Sequence, residues 1–68
     1  MIYDITPREK QIIVLISNEY SSKEIAKFLY ISFETVKTHR RNLLQKLRVK
    51  NVAGMVRVAF EQGIINTH

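Results

Sequence analysis

Apolar residues recur at helical spacing in four separate segments of the chain. The first segment carries a broad stripe of Ile12, Ile13, Leu15 and Ile16, a spacing that places apolar side chains on one side of a helix. The later stripes consist of Ile25, Ala26 and Leu29, then Val36, Leu43 and Leu47, and finally Met55, Val56, Ala59 and Phe60. The β-branched run of the first segment is also compatible with a strand, but the residues before it favour a helix.

The residues that precede the first two stripes are typical of helix starts. Thr6 is a good N-cap, Pro7 suits the first helical position, and Glu9 completes a capping box. Ser21 and Glu24 offer a second capping box. The sequence therefore predicts that the first helix starts after Thr6 and the second after Ser21.

The third and fourth helices also have recognisable ends. Ser32 is a strong N-cap for a third helix over about residues 33–47, and Asn51 can cap a fourth helix over roughly residues 52–62. Gly63 suits the left-handed residue that commonly follows a helix C-terminus. The fourth helix is therefore expected to end just before this glycine.

The second and third helices are separated only by a few residues around Tyr30–Ser32. Two short helices joined by so tight a turn form a helix-turn-helix. Short connections throughout predict an all-α, compact four-helix fold, and the chain length allows a single domain, residues 1–68. Tyr20, Tyr30 and Phe33 are expected to close its small core, although each could also flank a nucleic-acid backbone.

The net charge of the chain is concentrated in the third helix and the residues just after it. Residues 33–50 hold six basic residues and one acid, Glu34, whereas the charges of the remaining residues cancel. A cationic helix on an otherwise neutral small domain is typical of a nucleic-acid-binding protein. The alternative is a solvated basic helix surface without a partner.

One side of the third helix is polar throughout. At about 100° per residue, its apolar stripe occupies an arc of about 40°, and the side chains at positions 34, 37, 38, 41, 45 and 48 occupy a separate arc of about 100°. A helix of this kind can enter the major groove, where Lys and Arg donate to guanine and a Thr methyl contacts thymine. Because the N-terminal half of such a helix lies deepest, Lys37, Thr38 and Arg41 are the candidates for base contacts.

Other residues are candidates for phosphate contacts, because helix N-termini, hydroxyl groups and basic side chains bind phosphates readily. Several have alternative roles: Ser21 and Ser22 can cap the second helix, His39 can be a partly buried structural residue, and the Arg40 stem can pack while its guanidinium pairs with an acid such as Glu24. The candidates are Thr6, Ser21, Ser22, Lys23, Thr35, His39, Arg40, Lys46 and Lys50.

The composition argues against several classes of function. No cysteine is present, so neither a disulfide nor a zinc thiolate can form. The longest apolar run, Ile12–Ile16, is far shorter than the ~20 residues that span a bilayer. No carboxylate pair or glycine-rich phosphate loop is visible, so an enzyme is the weakest hypothesis. We expect no metal, no cofactor, no small-molecule ligand, no membrane partner and a cytoplasmic location.

Several short motifs follow one another in a fixed order along almost the whole chain. They are Ile5–Glu9, Ser22–Ala26, Leu29, Ile31, Ser32, Thr35–His39, Asn42, Leu43, Lys46, Leu47, Val49 and Gly63–Ile65. In this combination the chain resembles the LuxR-type helix-turn-helix domain over about residues 5–65. The run TVKTH, preceded by KEIA, is the most specific part of the resemblance.

The resemblance implies a DNA-binding transcriptional regulator of the kind that forms the output domain of response regulators and quorum sensors. It places the third helix in the major groove and base contacts at the three positions named above. It also implies that the fourth helix forms a homodimer interface on DNA, here through Val52, Arg57 and Val58. The partners implied are double-stranded DNA, a second copy of the chain and RNA polymerase.

The chain departs from the family pattern at some positions. The family usually has glycine where Glu19 and Arg48 stand, so a non-glycine residue must end the third helix, or that helix must be longer. It usually has Arg at Val52 and Ala at Met55, which bears on dimer geometry more than on DNA binding. Two alternative functions stay open: a promoter-binding region similar to that of a sigma factor, and a helix-turn-helix adapted to bind protein.

Overall fold

The computed structural model of the chain describes residues 4–66, which contain four α-helices and no strand. The helices are α1 at Pro7–Ser17, α2 at Ser22–Leu29, α3 at Phe33–Lys46 and α4 at Val52–Glu61. The predicted all-α, four-helix fold is thus confirmed, and α3 and α4 each end one residue before the predicted position. The first three and last two residues of the predicted domain lie outside the described residues.

The predicted N-caps satisfy backbone N–H groups at the start of every helix in this region. Thr6 Oγ1 accepts from the Glu9 N–H at 3.1 Å, and Glu9 Oε1 accepts from the Thr6 N–H at 2.9 Å. Ser21 and Glu24 make the same reciprocal pair at 3.1 and 2.8 Å. The remaining caps are single bonds of 3.0 Å, from the Thr35 N–H to Ser32 Oγ and from the Gly54 N–H to Asn51 Oδ1. All four helix starts are set by these local contacts.

The C-terminus of α4 turns at Gly63, which has a φ of +74°. The Gly63 N–H donates to the Phe60 carbonyl at 3.2 Å, and the Ile64 N–H donates to the Ala59 carbonyl at 2.8 Å. This pair of bonds is the Schellman motif, which satisfies carbonyls that have no partner within the helix. The predicted role of Gly63 is confirmed.

The other three helices end in the same way, but around residues that are not glycine. Glu19, Tyr30 and Arg48 have φ values of 68°, 58° and 56°, and the same two bonds close α1, α2 and α3 around them. An L-residue in this conformation costs roughly 1 kcal/mol relative to glycine. Arg48 therefore ends α3 without a glycine, and the helix is not lengthened.

The core is built around α3, which packs against the other three helices, while α1 also packs against α4. The buried stripe that the sequence predicted for the third helix is confirmed, and Glu9 is buried as well. The largest fully buried side chains are Ile12, Ile13, Ile25, Val36, Leu43, Leu47 and Met55. Because these contacts fix the orientation of α3 about its axis, they also fix which of its residues face solvent.

The prediction that Tyr20, Tyr30 and Phe33 close the core is wrong. Tyr30 is 94% exposed, and Tyr20 and Phe33 are each more than a third exposed. Tyr30 lies at the left-handed corner after α2, while the next residue, Ile31, packs against the core in its place. Phe60, assigned to the apolar stripe of α4, is also 46% exposed. Aliphatic side chains from all four helices fill the interior.

Candidate nucleic-acid interface

The structure brings the three predicted base-contacting residues together on one exposed side of α3. Lys37, Thr38 and Arg41 are all exposed, whereas Val36 and Leu43 on the same helix are fully buried. Spacings of one and four residues on a helix project side chains in similar directions. The side of α3 that carries these residues is a continuous polar surface, and the opposite side of the helix is packed against the core.

Two neighbours restrain the Lys37 ammonium on this surface. Its Nζ lies 3.8 Å from Glu34 Oε1 and 5.3 Å from the centroid of the Phe33 ring. Both contacts are solvent-exposed, and exposed ion pairs and cation–π contacts each contribute less than about 1 kcal/mol. The ammonium is therefore biased in position but remains available to a ligand.

The helix N-termini hold several of the predicted phosphate-contacting residues. Thr6 and Ser21 act as N-caps, and Thr35 Oγ1 lies 2.8 Å from Ser32 Oγ. Ser22 is half-buried and Lys23 is exposed. The capping role proposed for Ser21 is thus confirmed, while phosphate contacts at all these residues stay a prediction.

The structure narrows the alternatives for Arg40 and His39, which are both half-buried on α3. The burial of His39 matches the expectation of a partly buried residue. The Glu24 carboxylate accepts the Ser21 N–H, and this hydrogen bond lowers the pKa of Glu24 below its ordinary value. Among residues 4–66, Arg40 forms no ion pair with Glu24. Lys50, beyond α3, is exposed, and its phosphate contact stays a prediction.

Lys46 has a structural role that the sequence did not reveal. Its Nζ donates to Glu9 Oε1 at 2.8 Å and to the Asp4 carbonyl at 2.7 Å. Glu9 is only 4% exposed, and the same Oε1 atom also accepts the Thr6 N–H. The ion pair therefore ties the last turn of α3 to the start of α1. The phosphate contact predicted for Lys46 stays a prediction beside this role.

The pKa of Glu9 reflects opposing effects. Burial raises the pKa, but the hydrogen bonds from Lys46 and Thr6, together with the positive charge of Lys46, outweigh it and hold the pKa below the ordinary value of 4.5. Glu9 is consequently ionised near neutral pH. The residue thus serves both as the capping partner of Thr6 and as the buried counter-ion of Lys46.

The predicted dimer residues on α4 differ in their availability. Val52 and Val58 are half-buried and pack against the core of their own chain. Arg57 is exposed, and its guanidinium lies 3.2 Å from Glu61 Oε2. Phe60 is the most exposed large apolar side chain of α4. The sequence pattern did not indicate this exposure, because it assigned Phe60 to the core.

Two further observations concern metal ligands and membrane-spanning helices in the described part of the chain. Within residues 4–66, no group of three or more potential ligands is placed to hold a metal ion. In the same region, no helix has the length and apolar character needed to cross a membrane.

Comparison with protein families decides what kind of domain carries this surface. The model of a family described as "Bacterial regulatory proteins, luxR family" matches residues 4–59. The chain belongs to the LuxR family. Members of the LuxR family are DNA-binding regulators of transcription, so the predicted class of function, DNA binding in transcriptional regulation, is confirmed.

Individual relatives agree with the LuxR assignment. The chain is 45% identical over 62 residues to the transcriptional regulatory protein MctR of Rhizobium johnstonii, and 43% identical over 61 residues to the response regulator protein VraR of Staphylococcus aureus. These matches cover 91% and 90% of the chain but only 29% of each relative. The chain therefore spans less than a third of the length of these LuxR-type regulators.

A solved structure supports the same LuxR-type fold. The transcription factor GerE superimposes with a TM-score of 0.85 at 35% identity, covering 88% of this chain and 90% of that one. The match covers most of both chains, so the two proteins share the four-helix arrangement described above over most of their length. The resemblance drawn from the sequence motifs is confirmed.

Proposed function

We propose that this domain binds double-stranded DNA sequence-specifically, with α3 lying in the major groove, and thereby directs a transcriptional regulator to its operator. The observation that carries the proposal is the division of α3 into two sides. One side is buried against all three other helices, and the other presents Lys37, Thr38 and Arg41 to solvent. The major groove is wide enough to admit a helix presented in this way.

The three exposed residues have distinct roles in this proposal. The Arg41 guanidinium can hold guanine O6 and N7 with two hydrogen bonds, and the Lys37 ammonium can donate to the same kind of acceptor. The Thr38 methyl group can contact a thymine methyl. Because the three side chains share one side of α3, we expect them to read neighbouring base pairs.

Phosphate contacts would then set the orientation of α3 without contributing sequence information. We propose the N-terminus of α2, with Ser21, Ser22 and Lys23, as one such contact, since N–H groups and the helix dipole favour anions there. Thr6, Thr35, His39, Arg40 and Lys50 are the further candidates. Lys46 is the weakest of the set, because its ammonium already has two acceptors within the domain.

The assembly that we propose is a monomer in dilute solution and a homodimer on an operator with two half-sites. The exposed side of α4 is ten residues long at most and offers much less than the roughly 800 Å² per partner of a standard stable interface. DNA would hold two copies side by side, with Arg57 and the exposed parts of Val52 and Val58 between them. Sedimentation with and without DNA tests this, and a stable dimer without DNA at micromolar concentration would contradict it.

RNA polymerase is the further partner that we propose, since regulators of transcription act on its recruitment. The domain would then work in the bacterial cytoplasm, where the operator lies. A pull-down of RNA polymerase by the domain on operator DNA, compared with the same DNA alone, tests this contact.

Selection of bound sequences from a random DNA pool tests the proposed function as a whole. We expect a defined site with two-fold symmetry and an affinity that falls steeply as salt rises, because phosphate contacts release counter-ions. The selected duplex and a scrambled duplex are compared at one fixed salt concentration. A pool that yields no preferred sequence, with binding insensitive to salt, would favour a helix-turn-helix that binds protein instead.

A further inference from the structure

Glu34 stands apart from its surroundings on α3. It is the one acid in residues 33–50, which otherwise hold six basic residues. With Lys37, Thr38 and Arg41 it forms a continuous stripe, since these positions lie three, four and seven residues after it on a 3.6-residue helix. The acid therefore sits on the surface proposed to face DNA and not on a distant part of the domain.

The position of Glu34 places its carboxylate at the leading end of the stripe. It is the second residue of α3, after the cap Ser32 and the first residue Phe33, and the N-terminal part of a recognition helix penetrates deepest into the groove. Its side chain is 78% exposed, and Oε1 lies 3.8 Å from Lys37 Nζ. At this distance and exposure the pair is weak, so the carboxylate can turn to another partner.

The chemistry of a carboxylate restricts which partner it accepts. An ionised carboxylate only accepts hydrogen bonds. In the major groove, the amino groups of cytosine N4 and adenine N6 are donors, whereas guanine and thymine present acceptors at the equivalent place. A carboxylate held against acceptors or phosphates would lose its hydration without gaining a partner, which is costly.

We infer that Glu34 is a specificity-determining residue that accepts a hydrogen bond from the exocyclic amino group of cytosine or adenine and excludes guanine and thymine at that position. This rests on the proposed function, because it requires α3 in the major groove. Lys37, Thr38 and Arg41 would select bases by donating hydrogen bonds or by apolar contact. Glu34 would instead select a base by rejecting those that present an acceptor. It also explains how an acid can belong to a DNA-binding surface, where it opposes binding to the phosphate backbone.

Two ordinary roles of Glu34 must be separated from this one. An acid in the first turn of a helix stabilises it through the helix dipole, and the pair with Lys37 partly neutralises that ammonium. Either role would change folding stability or general DNA affinity, and neither would depend on which base occupies one position of the site. Base-dependent binding is therefore the measurement that separates the three roles.

The experiment uses the full chain and the duplex selected from the random pool, together with duplexes that carry each of the other bases at every position. Dissociation constants are measured at one fixed salt for the wild type, Glu34→Gln and Glu34→Ala. A matched control, Glu19→Gln, removes the same charge from the exposed corner after α1. Circular dichroism verifies that each variant is folded.

We expect the wild type to reject guanine and thymine at one position by about tenfold or more, the size expected for one good base contact. Glu34→Ala should lose most of that rejection, and Glu34→Gln should tolerate guanine and thymine better, because its amide group can donate to them, although it can still accept from adenine or cytosine. Both variants should bind scrambled DNA more tightly, whereas Glu19→Gln should change all duplexes by the same factor. Retained rejection of guanine and thymine in both Glu34 variants would overturn the inference. If the wild type itself shows no sequence preference, the proposed function fails, and the inference fails with it.

Discussion

Basic residues at different places along α3 have different roles. Lys37 and Arg41, nearer the N-terminus and the middle of the helix, are exposed to solvent, whereas Lys46 in the last turn donates to the buried Glu9 carboxylate. A count of basic residues treats these side chains as equal. The structure instead separates the exposed basic residues of α3, which are available for binding, from a last turn that anchors the helix to α1.

The strongest test of this contrast is Lys46→Met, which keeps an unbranched side chain and removes the charge. We expect the free energy of unfolding at neutral pH to fall by about 2–3 kcal/mol, because Glu9 is left buried without its cation. Urea denaturation followed by circular dichroism measures the loss. The matched control is Lys50→Met, an exposed position where the change should be within ~0.5 kcal/mol. A small loss of stability in Lys46→Met would mean that water can solvate the Glu9 carboxylate when its ion pair with Lys46 is absent.

Arg41→Ala tests the exposed basic residues of α3. We expect stability to change by less than ~0.5 kcal/mol, while binding to the selected duplex weakens by about 1–3 kcal/mol and binding to a scrambled duplex by much less. Arg41→Lys should not restore full specificity, because an ammonium lacks the planar fork that holds guanine with two hydrogen bonds. Equal losses on both duplexes would reduce Arg41 to a phosphate contact.

Lowering the pH should weaken the ion pair between Glu9 and Lys46. The pKa of Glu9 is lower in the folded chain than its ordinary value of 4.5, so the stability from its ionised form is fully present above that value and is lost as the pH falls through the lowered folded pKa. The effect should be smaller than that of Lys46→Met, because a protonated Glu9 is no longer a buried charge. Urea midpoints from about pH 7 to about pH 3 measure it, and Glu9→Gln should flatten the decline. A decline unchanged in Glu9→Gln would assign it to other carboxylates, such as Glu24.

The smallest expected effect concerns Arg48, which lies two residues after Lys46 and adopts the left-handed conformation. Arg48→Gly should stabilise the domain by up to ~1 kcal/mol, because glycine adopts the left-handed conformation without the cost paid by arginine. The gain is reduced by the greater freedom of glycine in the unfolded chain. Thermal unfolding of the variant at several protein concentrations measures it. Destabilisation would indicate that the Arg48 side chain makes a contribution beyond ending the helix.

Features set by neighbouring residues could be predicted from the sequence, and features set by distant residues could not. The caps at Thr6, Ser21 and Ser32 depend on residues three positions away, so the pattern placed every helix start correctly. The pair of Glu9 and Lys46 joins residues 37 positions apart, and Glu9 already had a local explanation as a capping partner. No signal in one sequence pointed from it to Lys46.

The aromatic residues show a second limit of pattern reading. Hydrophobicity suggested that Tyr30 and Phe60 belong inside, but the interior of a domain this small is already filled by aliphatic side chains such as Ile12 and Met55. Periodicity indicates the side of a helix on which a residue lies. It does not indicate how far along that side the other helices cover it. The exposed residues of α3 were placed correctly because their neighbours on the buried side are unambiguous.

The turn after α4 brings a residue beyond the last helix back into the core. Beyond Gly63 the chain returns to the core, where Ile65 is only 7% exposed and its N–H donates to the Ala59 carbonyl at 3.2 Å. Burying an isoleucine side chain stabilises a fold by about 1.5–3 kcal/mol, a large share of the stability available to a small domain. A fragment cut at Glu61, the end of the last helix, would retain every helix and still lose part of its core. Residue 65, and not the end of α4, is therefore the boundary that an expressed fragment of this domain has to include.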